Sequence, residues 1–553
     1  MPTVASVIVS MLESAGVDRA FCVSGESYLA LLNELESRAT IDVVTCRQEG
    51  GAGMMAVADA KLTGRPGVCM VSRGPGAANA AIGVLAAQQD TVPLLLLVGQ
   101  VESTLLRRDA FQEVDYSKFF SGTAKWTAEL NDPRRVHDVM SRALHIAQSG
   151  TPGPVVIALP EDILALEADM AQAPVWRPSR DSVDQSTLEE IAALVRKAER
   201  PLIIAGGDVA NPAARAALYA AAMAWQIPVL CSFRRYDLFP NAHPLFAGEL
   251  GFFNKPHHIA RYHESDLVIS VGTRLGDLTT QGYTFPRSPN PAQPLVHVYR
   301  DPAMIGVNFT PDIGVVCSAE RFLRAFADMH PKAGPDRSRW ILELGRFRAE
   351  IAELQRAEAP DGVAFGNVVL EMGQYVKPDA IVSMDAGISA AMLYRHYNWT
   401  PPQLLLTPIA GTMGWGIPGA VAAALRFPDR QIICMIGDGG LLMGGMELAV
   451  AAERKLPITI ILANNKSYGA IRLNLEREYP GRQTATVLHN PDFQQLSAAF
   501  GCKTYQIIND DEIASVLASA FSTRALTLVE VRTSLQVALA KLQPAAVVSD
   551  ASV

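Results

Sequence analysis

The chain has 553 residues, 49% of them hydrophobic and 19% charged, with a formal net charge of −8. That length exceeds what one hydrophobic core organises and points to about three domains of a soluble globular protein. The acidic balance argues against nucleic acid as a partner; the longest apolar runs, such as Val92–Val98, are strand-length rather than membrane-length; and seven cysteines without a C-x-x-C pair argue against structural zinc and for reduced thiols in a cytoplasm.

The opening stretch MPTVASVIVSMLESAGV is amphipathic and lacks a basic leader, so it reads as the first helix of a domain rather than a signal peptide. A β-branched strand, Ile41–Thr45, runs into a helix beginning near Glu49 within IDVVTCRQEGGAG. A glutamate there suits the helix dipole, and Gly50, Gly51 and Gly53 leave room beside it. The segment GRPGVCMVSRGPGAANA (64–80) carries Arg73 inside a glycine turn. GPGAAN lacks the third glycine of a dinucleotide fingerprint, which excludes NAD. RRDAFQEVD (107–115) follows, and the strand in GPVVIALPEDIL (153–164) closes a first domain over 1–168.

Residues 166–186 are polar and Pro-bearing and read as a linker. A second α/β domain, 186–335, opens with the helix TLEEIAALVRKAE and the strand PLIIAGG. It contains His257-His258, read as part of a surface helix, then DLVISVGTRLGD (266–277) and VHVYRDP (296–302). A polar helix over 337–356 leads to a third domain, 360–537, and the tail LQPAAVVSDASV reads as frayed or lid-like. The fold class is α/β: three domains, each with a central parallel sheet flanked by helices.

The third domain carries VSMDAGISA (382–390), PIAGTMGWGIPGAVAAAL (408–425) and IICMIGDGGLLMGGMELAVAAERKLPITIILANNKSYG (432–469). In the last, Ile432–Ile436 and Ile458–Ala463 read as buried parallel strands. The helical spacing of Leu442, Met446, Ala449 and Val450 supplies the crossover. Asp438 and Asn465 then fall just past the two strand ends and share the crevice at the carboxyl edge. The turn Gly437-Asp438-Gly439-Gly440 admits a phosphate to the N-terminus of the following helix, and hard Asp and Asn oxygens suit Mg²⁺.

Gly-Asp-Gly, twenty-four residues and Asn-Asn resembles the signature of thiamine-diphosphate (ThDP) enzymes. Essentially the whole chain resembles their acetolactate-synthase-like branch, the acetohydroxyacid synthase large subunits. The resemblance implies pyrimidine-binding, central and diphosphate-binding domains. It makes Glu49 the glutamate that activates the cofactor through its aminopyrimidine nitrogen. It gives the carbonyl of Gly411 to the exocyclic amine and makes Met413 the wedge that bends the cofactor. Gly387, Ser389, Gly437, Gly439, Gly440 and Tyr468 would surround the diphosphate, and Asp438, Asn465 and the Ser467 carbonyl would hold Mg²⁺. Phe111 and Gln112 would form a substrate wall.

The implied activity is ThDP- and Mg²⁺-dependent decarboxylation and carboligation of 2-oxo acids in an altered pocket. A non-oxidative decarboxylase or an acyltransferase of the same family, and a non-catalytic nucleotide-binding homologue, are the alternatives. The first histidine is His137, so the His-His pair that such decarboxylases resemble one another in placing in the first domain is absent. The loop after Asn465 lacks the tryptophan of true acetolactate synthases. Asn474 stands near its place, and Arg472 and Arg73 are further departures suited to an anionic substrate, although a surface ion pair would equally explain Arg472. Gly206, Gly207, Arg274 and Asp301 resemble part of a nucleotide site in the central domain, with FAD, ADP or no ligand left open. A homodimer or homotetramer with sites at the subunit interface is implied.

Overall fold

The computed structural model describes residues 1–168, 175–177, 181–329, 334–352 and 356–537; part of the expected linker and all of the tail 542–553 lie outside them. The chain forms two compact units, Met1–Ile351 with Asn398–Leu405, and Ala352–Tyr397 with the chain from Leu406 onward. The first unit holds two six-stranded sheets and the second holds one.

In chain order the first sheet is built from β1 (Arg19–Cys22), β2 (Asp42–Thr45), β3 (Gly67–Val71), β4 (Leu94–Gln100), β5 (Trp126–Glu129) and β6 (Pro154–Pro160), arranged β2-β1-β3-β4-β6-β5. The second contains β7 (Pro201–Ala205), β8 (Val229–Cys231), β9 (Phe246–Glu249), β10 (Leu267–Val271), β11 (Leu295–Tyr299) and β12 (Ile313–Val316), arranged β12-β11-β10-β7-β8-β9. The third contains β13 (Ile381–Met384), β14 (Leu404–Leu406), β15 (Ile432–Gly437), β16 (Ile458–Asn464), β17 (Lys503–Ile507) and β18 (Thr527–Arg532), arranged β14-β13-β15-β16-β18-β17.

The described pairings are parallel. Strands covered on both faces are apolar throughout, which is why β4, LLLLVGQ, is buried along its whole length. Each sheet has a reversal of strand order near its middle, between β1 and β3, β7 and β10, and β13 and β15, and the first and third sheets reverse again at one edge, where β5 lies outside β6 and β17 outside β18. The middle reversals open crevices at the carboxyl ends of the strands.

Two local readings change. Gly50 and Gly53, after Glu49, serve close packing rather than open space: a Cβ on Gly50 would lie 3.0 Å from Ile82, and one on Gly53 would lie 3.1 Å from the Cα of Gly83, where the helices Glu49–Thr63 and Arg73–Asp90 cross. The crossover after β15 is also not one continuous helix. It breaks into Asp438–Gly444, a 3₁₀ turn and Leu448–Glu453, and its buried side chains include Leu441, Leu448, Val450 and Ala451, while Leu442 and Met446 are exposed. The break falls at Gly444, where a Cβ would sit 2.1 Å from the Gly414 carbonyl oxygen. That close approach, rather than helical periodicity, sets the path.

Candidate active site

In the second unit the crevice between β13 and β15 is lined by the turns that leave β13, β15 and β16. Asp438 begins the helix after β15 and is 2% exposed; burial pushes its carboxyl above the usual aspartate range, opposed by the Asn490 amide and nearby backbone N–H groups. Asn490 Nδ2 lies 2.8 Å from Asp438 Oδ2. The Asn465 side-chain oxygen accepts the Ser467 N–H at 3.0 Å, and Ser467 Oγ donates to the Thr486 carbonyl at 2.8 Å. Tyr468 covers the glycine turn: a Cβ on Gly439 would lie 2.6 Å from its ring.

The glycines of this edge divide into two kinds. A Cβ on Gly387 or Gly437 would meet nothing within 4 Å, so both open onto free space. Gly387 also has φ +141°, a conformation that side-chain-bearing residues rarely adopt, at the cap of the helix Ile388–His396 whose first turn buries Ser389. Gly440, by contrast, packs against Asp385, with a Cβ there 3.1 Å from the Asp385 carboxyl carbon.

Asp385 was not singled out from the sequence. It is 1% exposed, and its carboxylate accepts the N–H groups of Ala386 (2.6 Å), Gly414 (3.2 Å) and Gly416 (2.9 Å). Gly411 (φ +69°) and the half-buried Met413 lie on the segment so anchored. The signal in the sequence was an acid just past a buried strand, the same signal that marked Asp438.

Beyond β16, Arg472 is buried in the helix Gly469–Glu478; its guanidinium pairs with Glu476 at 2.9 Å and donates to the Arg482 carbonyl. Asn474 on the same helix is exposed.

In the first unit Glu49 starts the helix Glu49–Thr63 and is half-buried, with Asn79 Nδ2 2.9 Å from its Oε2. Arg73 starts the next helix; one nitrogen pairs with Glu161 at 2.8 Å, while its buried Nε has no partner among the described residues. The loop Ala110–Glu113 is tied to that helix by the Gly74 N–H, which donates to the Gln112 carbonyl at 3.1 Å. Arg107, Asp109 and Gln112 all have positive φ near 60°, and the Glu113 carboxylate accepts the N–H groups of Arg107 and Ala110. Such backbone costs on the order of 1–3 kcal/mol per residue and persists where surrounding contacts over-determine it. Phe111, at the tip, is 78% exposed.

The crevice of the second sheet is closed by its own residues. A Cβ on Gly206 would lie 2.4 Å from both the Gly272 carbonyl and Thr273, and Arg235 lies over Gly207. Arg274 donates to the Gln89 carbonyl (2.9 Å), Asp301 accepts the Thr151 N–H (2.9 Å), and Arg235 is 3.7 Å from Asp90. Three crevice side chains are thus committed to the first sheet's helices and loops.

Elsewhere, His257, His258 and Glu350 cluster closely enough to suggest a metal, and His258 is fully buried rather than on a surface. The Lys255 N–H, however, donates to His258 Nδ1 at 3.3 Å, so Nε2 carries the proton it gives to Glu350 and has no lone pair for an ion.

Comparison with known proteins matches residues 2–119 to the family described as thiamine pyrophosphate enzyme, N-terminal TPP binding domain, residues 188–326 to its central domain and residues 385–531 to its C-terminal TPP binding domain. The acetolactate synthase isozyme 1 large subunit of Escherichia coli is 31% identical over 547 residues, covering 96% of this chain and 94% of that protein. The acetolactate synthase large subunit of Corynebacterium glutamicum is 30% identical over 94% of this chain and 84% of its own. A probable acetolactate synthase large subunit of Methanocaldococcus jannaschii is 29% identical over 93% and 89%.

Proposed function

The chain belongs to the thiamine pyrophosphate enzyme family, among relatives of the acetolactate synthase large subunits, and from that premise we propose that it decarboxylates a 2-oxo acid and joins the remaining fragment to a second carbonyl compound. The observation that carries this reading is the glycine cradle at the carboxyl edge of the third sheet: Gly387 and Gly437 face free space beside the buried Asp438 and the half-buried Asn465. That donor set fits a hard cation carrying a diphosphate.

Asp438, Asn465 and the Ser467 carbonyl are the residues that would hold Mg²⁺. Gly387, Ser389, Gly437, Gly439, Gly440 and Tyr468 would contact the diphosphate, and Gly411 and Met413 would contact the cofactor's rings. When bound, thiamine diphosphate supplies the nucleophilic carbon and the electron sink for loss of CO₂. Glu49 would hydrogen-bond the aminopyrimidine ring and exchange a proton with it, and the Asn79 amide orients the Glu49 carboxylate.

Phe111 and Gln112 wall the substrate. The unpartnered Nε of Arg73 offers a donor to a substrate carboxylate. A substrate carboxylate reaching Arg472 would have to displace Glu476, and Asn474 stands on the same helix. Exposed apolar side chains, among them Phe111, Leu442, Met443 and Met446, support a homodimer or homotetramer. No described helix is long and apolar enough to cross a membrane, and seven free, buried cysteines suit a reducing cytoplasm.

The second-sheet crevice does not fit FAD or ADP. Arg274, Arg235 and Asp301 are occupied by the first sheet's elements, and Gly206 packs directly against Gly272 and Thr273. The purified protein is expected to lack flavin absorbance; stoichiometric flavin in the supernatant after denaturation would overturn this.

The test of function is reconstitution with ThDP and Mg²⁺, a panel of 2-oxo acids and product analysis. Acetolactate or acetoin supports carboligation, free aldehyde supports the decarboxylase alternative, and acyl phosphate supports the acyltransferase. No turnover of any 2-oxo acid would sink the proposal.

A further inference from the structure

Behind Asp438 lies a chain of polar side chains that the proposed chemistry does not use. Glu530, on β18, is 8% exposed and its two oxygens accept three side-chain amides: Asn464 Nδ2 at 2.7 Å, Gln494 Nε2 at 3.1 Å and Gln506 Nε2 at 3.4 Å. Asn464, the last residue of β16, turns its oxygen to Asn490 Nδ2 at 3.0 Å. The same Asn490 nitrogen reaches Asp438 Oδ2 at 2.8 Å. Asn490 Oδ1 is buried without a partner among the described residues.

A carboxylate only accepts hydrogen bonds, so the two carboxylates at the ends of this chain dictate how both amides point. Glu530 must see the NH₂ of Asn464. Asn464 then presents its oxygen to Asn490, and Asn490 must answer with its own NH₂, whose second hydrogen reaches Asp438. The reverse orientation of either amide sets two acceptors against each other in a buried place, which costs roughly 1–3 kcal/mol. The orphaned Asn490 oxygen is what this fixed polarity leaves over.

We infer that Glu530, Asn464 and Asn490 form a polarity relay that fixes the orientation of the Asp438 carboxylate for its metal ion. None of the three would be a ligand of the ion; Asn490 and Glu530 are positioning residues. The inference rests on the reading of Asp438 as a Mg²⁺ ligand, and loss of such partners typically weakens metal affinity by about 10–100-fold.

Glu530→Gln tests the relay at its far end. The introduced amide keeps one oxygen for Gln494 and Gln506 and turns its NH₂ to Asn464. Asn464 meets that NH₂ only by reversing, at the expense of the Lys466 N–H that its oxygen also accepts at 3.3 Å, and the reversal, passed on through Asn490, brings a carbonyl against Asp438. The readout is the Mn²⁺ or Mg²⁺ concentration that half-saturates ThDP binding, followed by tryptophan fluorescence, beside the thermal midpoint of the metal-free protein. Glu530→Gln and Asn490→Ser are each expected to raise that concentration by about tenfold or more. In an Asn490→Ser background, Glu530→Gln is expected to add little, because the path to Asp438 is already cut.

Unchanged metal dependence in Glu530→Gln, or full additivity in the double variant, overturns the relay. ThDP binding by the unaltered protein that needs no metal would instead overturn the metal reading of Asp438 itself, and the relay with it.

Discussion

The carboxamide of Asn79 donates to the carboxylate of Glu49 at 2.9 Å, across the pair of helices that cross at Gly53 and Gly83. The bond fixes one carboxylate oxygen and leaves the other beside Gly76, where a Cβ would lie 3.6 Å away. Glu49→Gln is expected to retain ThDP binding and lose roughly 10²–10⁴-fold in turnover, as for a group that exchanges a proton with the cofactor. Asn79→Ala is expected to keep the fold and lose a smaller share of turnover. Steady-state rates beside a fluorescence titration of ThDP check both; normal turnover in Glu49→Gln would show that the assigned role is wrong.

Asp385→Asn replaces one of two accepting oxygens by an NH₂ that faces the N–H of Gly414 or Gly416. The cost in stability is expected at about 1–3 kcal/mol, with weaker ThDP binding because the segment bearing Gly411 and Met413 loses its anchor. Asp237→Asn is the control. That buried carboxylate serves Arg215 and the Leu405 N–H, all within the first unit, so its loss is expected to lower stability without changing ThDP affinity. Equal affinity loss in both variants would refute a specific role for Asp385.

Glu249 is buried at the end of β9, and burial raises its carboxyl from the ordinary 4.5 to about 7, against the hydrogen bonds of Tyr236 and the Arg234 N–H. The folded state therefore binds its proton more tightly than the unfolded chain does. The stability this contributes is fully present below about pH 4.5 and is lost as pH rises through about 7, with a limiting slope of about 1.4 kcal/mol per pH unit between them. Urea unfolding at pH 5 and pH 8 is expected to show a smaller difference in Glu249→Gln than in the unaltered protein. An unchanged difference would rule this contribution out.

The readable part of the molecule was the part encoded by neighbours in sequence. A β-branched run, a glycine turn and an amphipathic stretch announce strand, crevice edge and helix, so Asp438, Asn465 and Glu49 could be placed on their elements without coordinates. Periodicity failed between Gly444 and Leu448, because the Gly414 carbonyl approaches from another segment and redirects the helix. Asp385 carries the same strand-end signal as Asp438, but its role is set by Gly414 and Gly416, which lie far along the chain.

The amino-acid sequence by itself determined the α/β class and the three parallel sheets, and its resemblance to thiamine-diphosphate enzymes implied the cofactor; spacing along one strand–turn–helix unit fixes only what stands at a strand's carboxyl end. Only the tertiary structure decided which polar side chains are committed. Arg472 is held by Glu476 and the Arg482 carbonyl, Arg274 and Asp301 by Gln89 and Thr151, and Asp438 is held by Asn490 and, through it, by Glu530. A buried hydrogen bond depends on which groups meet in space, and for most of these residues the partner comes from a distant stretch of chain.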